Sequence, residues 1–210
     1  MPRTVGSHPD NGTVTDLAWA TLTTPVGQVS VACSDDGVTR VNWGTPREPA
    51  ASPAAAGHTG TRAAALAERA RDQLAEYFAG QRRAFEVPVD WATVLGRRPG
   101  EPSVRQRVLA VLAGSVKYGE TVTYGLLAGR AEVPGEGQSP PARVVGQVMA
   151  SNPYPLLVPC HRVVAGDGIG GFSGGSGIEV KRWLLTFEGS LPPTLDWDPA
   201  GPDQGLAAAR

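Results

Sequence analysis

The hydrophobic period of the chain changes once, and that change limits the folds open to it. Between residues 17 and 43 the period is two, clearest in Val29, Val31 and Cys33 set against Gln28, Ser30 and Ala32. Such alternation puts one face of a strand against a core. From residue 62 the spacing becomes four, with Leu66, Ala70, Leu74 and Phe78 in one stripe. That is the buried side of a helix. Strands first and helices afterwards point to an α+β protein, not to alternating βαβ units.

The strand region divides at two turn sequences, Pro25-Val26-Gly27 and Asp35-Asp36-Gly37. Three strands follow, over 17–23, 28–32 and 38–43, in an antiparallel meander. Cys33 falls on their apolar face. A helix is expected over 62–79 with Gly80 as its cap, and Phe85, Val87 and Val89 read as a further strand. Residues 45–60 are rich in Ala, Pro and Gly and read as a loop. Residues 96–102, with charges, Gly and Pro, suit a domain boundary. The organisation is a flexible 1–16, an N-terminal α/β domain over 17–96, a C-terminal domain over 97–190, and a flexible tail over 191–210.

The second half reads as mainly helical. Ser103 followed by Gln106 has capping-box spacing, so a helix should run to Ala113, with Val104, Val108, Val111 and Leu112 inward. Thr123 reads as the N-cap of a short helix through Ala128. Ser139-Pro140 marks another start, with Val144, Val145, Val148 and Met149 on its apolar side, and Asn152-Pro153 stops it. Two short helices with a turn between them suggest a helix-turn-helix, although the pattern alone is more often an ordinary helical hairpin. Leu156-Leu157-Val158 reads as a short buried strand. Ser176 to Glu179 gives a second capping box, and Val180, Trp183, Leu184 and Phe187 would pack the last helix.

Net charge is -1, but it is unevenly placed. Residues 97–190 carry 10 basic and 7 acidic side chains, whereas residues 1–96 carry 8 and 10. The positive bias of the second half is mild support for a polyanionic partner. The two cysteines, Cys33 and Cys160, form no CxxC pair, and the three histidines have no metal-ligand spacing with them. No metal site is therefore expected. No apolar run approaches the ~20 residues of a membrane span, and Met1 to Gly12 lacks a signal-peptide core. A reducing cytoplasm and a monomer are expected, with no membrane.

The chemistry centres on Pro159-Cys160-His161-Arg162-Val163-Val164. A thiol becomes a good nucleophile once it loses its proton. A neighbouring imidazole can take that proton if a third group orients it, and Glu188 on the last helix could be that group. A lone cysteine is more often a small buried hydrophobe.

Together with Asn152-Pro153, Ser173-Gly174-Gly175, Lys181-Arg182-Trp183-Leu184-Leu185 and Glu188-Gly189, this segment resembles the O6-alkylguanine-DNA alkyltransferases, also called methylated-DNA–protein-cysteine methyltransferases. The resemblance covers residues 17 to 189 and is densest from Val116 to Gly189. It implies a small N-terminal antiparallel sheet with a helix, then a mainly α-helical domain with a winged-helix-like helix-turn-helix and the active-site cysteine. It implies direct-reversal repair: irreversible, once-only transfer of an alkyl group from O6-alkylguanine, and from O4-alkylthymine if the range is wide, to Cys160. Double-stranded DNA carrying the alkylated guanine is the implied partner, bound through its minor groove.

The resemblance makes His161 the base, Glu188 its polarising partner, and Asn152 the brace of the turn before the cysteine. Tyr124 would donate to the guanine ring, the backbones of Cys160 and Val163 would hold the exocyclic amine, and the Ser173 amide would receive O6. Arg143 would fill the space left by the flipped base. The small residues Ala142, Gly146 and Ser151 would let its helix lie against the sugar-phosphate wall. Val104 departs from the Phe of many members, and the 131–139 connector and the 91–102 joint are longer than usual. Two alternatives differ in class. An inactive lesion-binding relative would lack the cysteine. A thiol hydrolase would usually have Cys and His far apart in sequence, whereas here they are adjacent.

Overall fold

The structure is a computed structural model and describes residues 17–44, 62–92, 102–135, 139–195 and 198. The expected loop over 45–60, most of the 96–102 joint, the N-terminal segment and nearly all of the tail lie outside the described residues.

Strands β1 (Ala18–Thr24), β2 (Gly27–Ser34) and β3 (Gly37–Trp43) form the antiparallel meander, in the order β1-β2-β3. Val29, Val31, Cys33 and Val38 are buried, but so are Ser30 and Ala32, so β2 is covered on both faces and its burial does not follow the alternation. Helix α1 (Arg62–Phe78) covers the sheet. Its buried face is Ala63, Ala67, Ala70, Leu74 and Tyr77, one position round from the Leu66 to Phe78 stripe, whose end members are half-buried. The small alanines let the helix sit close to β1 and β2, leaving Leu74 and Tyr77 to fill the wider end. Gly80 closes the helix at φ 73°, in the left-handed region that suits glycine.

The strand expected at 85–89 does not form. Pro88 has no amide hydrogen to give a ladder. Its carbonyl accepts from Val38 N at 2.8 Å and Asp90 N donates to Val38 O at 2.9 Å, which leaves one bridge between Val38 and Val89.

Helix α2 (Val104–Ser115) begins with the expected capping box, Ser103 accepting from Gln106 N while Gln106 accepts from Ser103 N. Val108, Leu109 and Leu112 are buried, while Val104 and Val111 are only partly so. Thr123 caps α3 (Tyr124–Arg130) through Leu126 N. Helix α4 (Pro141–Ala150) starts two residues after Ser139: Pro140 is its N-cap, with no side-chain capping bond. The fixed φ of two successive prolines substitutes for that bond. Helices α3 and α4 pack together, and β4 (Val122–Thr123) runs parallel to β5 (Val163–Val164). Helix α5 (Ile178–Phe187) also lacks its expected capping box, because Gly177 at φ 84° occupies the cap.

The halves meet through buried hydrogen bonds. Val41 N donates to Pro153 O at 2.9 Å, and Tyr154 Oη donates to Asp90 O at 2.9 Å.

Candidate active site

The segment before the cysteine is a turn, not the strand its apolar run suggested. Asn152 causes this. Its Oδ1 accepts from Tyr154 N at 3.0 Å and its Nδ2 donates to Val158 O at 2.8 Å. Val158 N closes the loop onto Tyr154 O at 2.8 Å. Leu156 takes φ 72° to complete it, a conformation that costs a branched residue about 1–3 kcal/mol. Burial of Tyr154, Leu156 and Val158 offsets that cost.

Cys160–Arg162 then form one 3-10 turn. Three residues per turn set neighbouring side chains about 120° apart. One short turn can therefore send a thiol one way and two basic groups inward. Cys160 is 7% exposed, while His161 is 1% exposed.

Glu188 caps α5 at its C-terminal end, where the helix dipole disfavours negative charge. Four donors overcome that. Oε1 accepts from Tyr77 Oη at 2.7 Å, from His161 Nε2 at 2.9 Å and from an Arg162 NH2 group at 2.9 Å, and Oε2 accepts from Arg162 Nε at 2.8 Å. Burial alone would raise the Glu188 pKa, but His161 and the Arg162 fork reverse this and hold it well below the usual carboxylate range. Burial pushes His161 the other way, below its ordinary value, against the pull of Glu188. A neutral imidazole donating Nε2–H to a carboxylate kept ionised by Arg162 satisfies both, and leaves Nδ1 free to accept.

Lys181 is fully buried on α5. Its Nζ donates to Val163 O at 2.6 Å and Gly171 O at 3.0 Å and lies 5.8 Å from the centre of the Tyr124 ring. Burial pushes its pKa down to about 8, with Cys160 acting against that shift. The Cys160 thiol is pushed up by burial, while hydrogen bonding from Asn152, the charge of Lys181 and the backbone amides of Cys160 and His161 pull it back. Burial prevails, so the resting sulfur is a thiol, and Asn152, Lys181 and the amides reduce the cost of ionising it.

In front of the thiol is a cavity of about 380 Å³, lined by Tyr124, Gly146, Met149, Cys160, Phe172 and Ser173 among others. Its size suits a planar heterocycle. Tyr124 Oη makes only a long 3.4 Å bond to Gly171 O, so it is available to a ligand. Arg143 is exposed on α4, Ala142 and Gly146 are half-buried beside it, and Ser151 is exposed at its end. Ser173 Oγ donates to Ala150 O at 3.2 Å, which ties the loop to α4.

Cys160, Tyr124, Gly146 and Ser173 therefore meet at one cavity, with Asn152 beside the thiol, while His161 and Glu188 form a buried pair outside its lining. Val163 is buried on β5 and its carbonyl already accepts from Lys181. Three participants were not singled out from sequence. Arg162 adjoins His161 and Lys181 adjoins Arg182, so nothing local marks either as a buried charge. Tyr77 is 111 residues from Glu188, and no local pattern joins them. Among the described residues no group of three or more His, Cys, Asp or Glu could hold a metal, and no helix is long and apolar enough to cross a membrane.

Two family models match this chain. Residues 17–91 match the ribonuclease-like domain of 6-O-methylguanine DNA methyltransferase, and residues 103–190 match its DNA-binding domain. The chain belongs to the 6-O-methylguanine DNA methyltransferase family. It is 39% identical over 172 residues to the DNA base-flipping protein of Thermus thermophilus, covering 81% of this chain and 99% of that one. It is 48% identical over 89 residues to the methylated-DNA–protein-cysteine methyltransferase of Mus musculus, covering 42% of this chain and 40% of the mouse protein. The fold is similar to Mycobacterium tuberculosis OGT in complex with DNA, with a TM-score of 0.62, 30% identity, and coverage of 82% of this chain and 93% of that one.

Proposed function

We propose that this protein repairs DNA by moving an alkyl group from O6 of guanine to Cys160, once per molecule. The observation that carries this reading is a nearly buried thiol at the wall of a base-sized cavity, backed by His161 and an ionised Glu188. Helix α4 approaches the minor groove, with Ala142, Gly146 and Ser151 allowing close contact. The damaged base rotates out of the duplex, because a paired guanine cannot present O6 to a buried sulfur. Arg143 takes its place in the stack, where a guanidinium can stack and hydrogen-bond the orphaned partner.

In the cavity Tyr124 donates to the ring, backbone groups of Cys160 and Val163 hold the exocyclic amine, and the Ser173 amide faces O6. His161 accepts the thiol proton, through a water where the reach requires it. The sulfur–carbon bond forms as the carbon–O6 bond breaks, and the electron pair stays on guanine. Guanine takes up one proton, so the proton lost by the thiol is balanced there. Asn152 holds the turn that presents the sulfur. No cofactor is required, since the base is the leaving group. Both cysteines are free, which suits a reducing compartment such as the cytoplasm.

The name of the Thermus relative supports base flipping, a step that a second reading, lesion binding without transfer, would share. Intact mass after incubation with a duplex containing O6-methylguanine separates them. Transfer adds one methyl per chain and stops, and Cys160→Ser adds none. A binder stays unchanged in mass, and a hydrolase releases product repeatedly. An unmodified wild-type chain that still shifts the duplex in a gel would replace the first reading with the second.

A further inference from the structure

The turn that leads into β4 lies against the end of α5 that carries Glu188. Glu120 N donates to Lys117 O at 3.1 Å, and Lys117 N donates to a Glu120 carboxylate oxygen at 2.9 Å. Gly119 takes φ 79° in this turn, and a side chain on it would stand 3.2 Å from the Glu188 carbonyl oxygen. The glycine thus allows the turn to press against the helix end.

Tyr118 occupies the middle of that contact. Its hydroxyl donates to Phe187 O at 3.2 Å, one of the last carbonyls of α5, which have no partner within the helix. Its ring meets Tyr77 edge-on at 6.1 Å between centres. Two guanidinium groups lie close to the same ring, Arg162 at 5.9 Å and Arg83 at 5.4 Å from its centre. Exposure is graded across the three residues: Arg83 is exposed, Tyr118 half-buried and Arg162 buried. Arg162 also donates to Val116 O at 3.0 Å, which ties the start of the turn to the same guanidinium.

His161 is faced by Glu188 and Lys181 from α5 and by Arg162 beside it in the 3-10 turn, while α1 reaches it through Tyr77 on the shared carboxylate. Burial is the largest influence on its proton affinity and outweighs the pull of Glu188. Water at Arg162 and Glu188 would weaken that influence first.

Resting on the transfer reading above, we infer that Tyr118 is a positioning residue, whose ring seals the Arg162–Glu188–His161 relay from water and so keeps His161 neutral and able to accept the thiol proton. Tyr118 is not among the residues lining the base-sized cavity, and it acts through Arg162.

The test uses the full chain and reads two quantities. One is the His161 imidazole titration by NMR; the other is single-turnover methyl transfer from an O6-methylguanine duplex at pH 6 and pH 8. Tyr118→Ala admits water, so the titration should move up toward the ordinary value of about 6.5. An imidazole with that value is about three-quarters protonated at pH 6. The variant's rate at pH 6, relative to its own rate at pH 8, should therefore fall about two- to fourfold below the wild-type ratio. Tyr118→Phe keeps the ring and should keep the wild-type titration, losing only the bond to Phe187 O. Tyr118→Leu covers the case in which the alanine variant does not fold, and should shift the titration in the same direction. A purely structural role would lower the melting temperature and leave the titration of the folded variant in place, and that result would overturn the assignment. So would Tyr118→Phe titrating like Tyr118→Ala. A wild type with the lowered His161 titration that transfers no methyl would instead overturn the function on which the assignment rests.

Discussion

Two buried cations stand near Cys160 in different company, and the contrast shows how this fold uses charge. Arg162 faces a carboxylate and fills both of its oxygens. Lys181 faces two backbone carbonyls and has no carboxylate among its bonds. A guanidinium cannot give up its proton in a protein, so it must be paired. An ammonium can, and burial has already moved Lys181 toward neutrality. The first arrangement is a fixed charge that keeps Glu188 ionised. The second is an adjustable charge whose strength depends on the state of the thiol.

The largest test of this contrast is Glu188→Gln. It strands Arg162 in the interior, and the loss should be about 3–5 kcal/mol, measured by urea unfolding. Transfer at pH 7 should slow markedly, because His161 loses its polarising partner, and should rise with pH as more of the thiol ionises without a base. Stability close to wild type would mean that Arg162 finds other partners and that the contrast is false.

Lys181→Met should cost less, about 1 kcal/mol, because lost carbonyl bonds are offset by removing a buried charge. Its clearer effect is on chemistry. Alkylation of Cys160 by iodoacetamide should need a higher pH in the variant, since a cation that favoured the thiolate is gone. An unchanged pH profile would remove Lys181 from the site.

The two regions should also respond to pH with different windows. His161 has a lowered folded pKa, so the unfolded chain binds more protons below about 6.5 and stability falls with pH from there. Glu188 has a depressed pKa, so its contribution is present above the ordinary carboxylate value and is lost as pH falls through its folded one. Lys181, moved down from 10.5 to about 8, makes stability rise with pH between those values. Melting temperature against pH should show the acid loss in wild type and reduce it in Glu188→Gln. A flat acid limb in wild type would contradict the buried relay.

Arg143→Ala should change stability least, within about 0.5 kcal/mol, as for an exposed side chain. It should nevertheless slow repair of duplex DNA far more than reaction with free O6-benzylguanine, which needs no flipping. Equal losses on both substrates would assign Arg143 to the pocket.

Much of this was legible in the sequence because it depends on short-range pattern. The period of two gave the β1–β3 meander, and Ser103 with Gln106 fixed the start of α2. Cys160, His161 and Glu188 were singled out because their chemistry and the family resemblance agree, and the structure pairs His161 with Glu188. What escaped depends on backbone geometry or on contacts far apart in the chain. Leu156-Leu157-Val158 has strand composition, yet the Asn152 side chain takes the bonds a strand would use. Ser176 and Glu179 have capping-box spacing, yet Gly177 caps α5 with a backbone angle that spacing does not encode. Tyr77 reads as an ordinary helix residue until the tertiary fold sets it beside Glu188.

That last contact has a thermodynamic consequence. The Tyr77 hydroxyl, on the helix that covers the N-terminal sheet, shares one carboxylate oxygen with His161. Opening of the first half would withdraw a donor from that oxygen, making it more basic and drawing the imidazole toward its charged form. Folding of one half and proton affinity in the other are thus linked equilibria. By reciprocity, any event that makes His161 hold its proton more tightly must favour release of α1 from the relay.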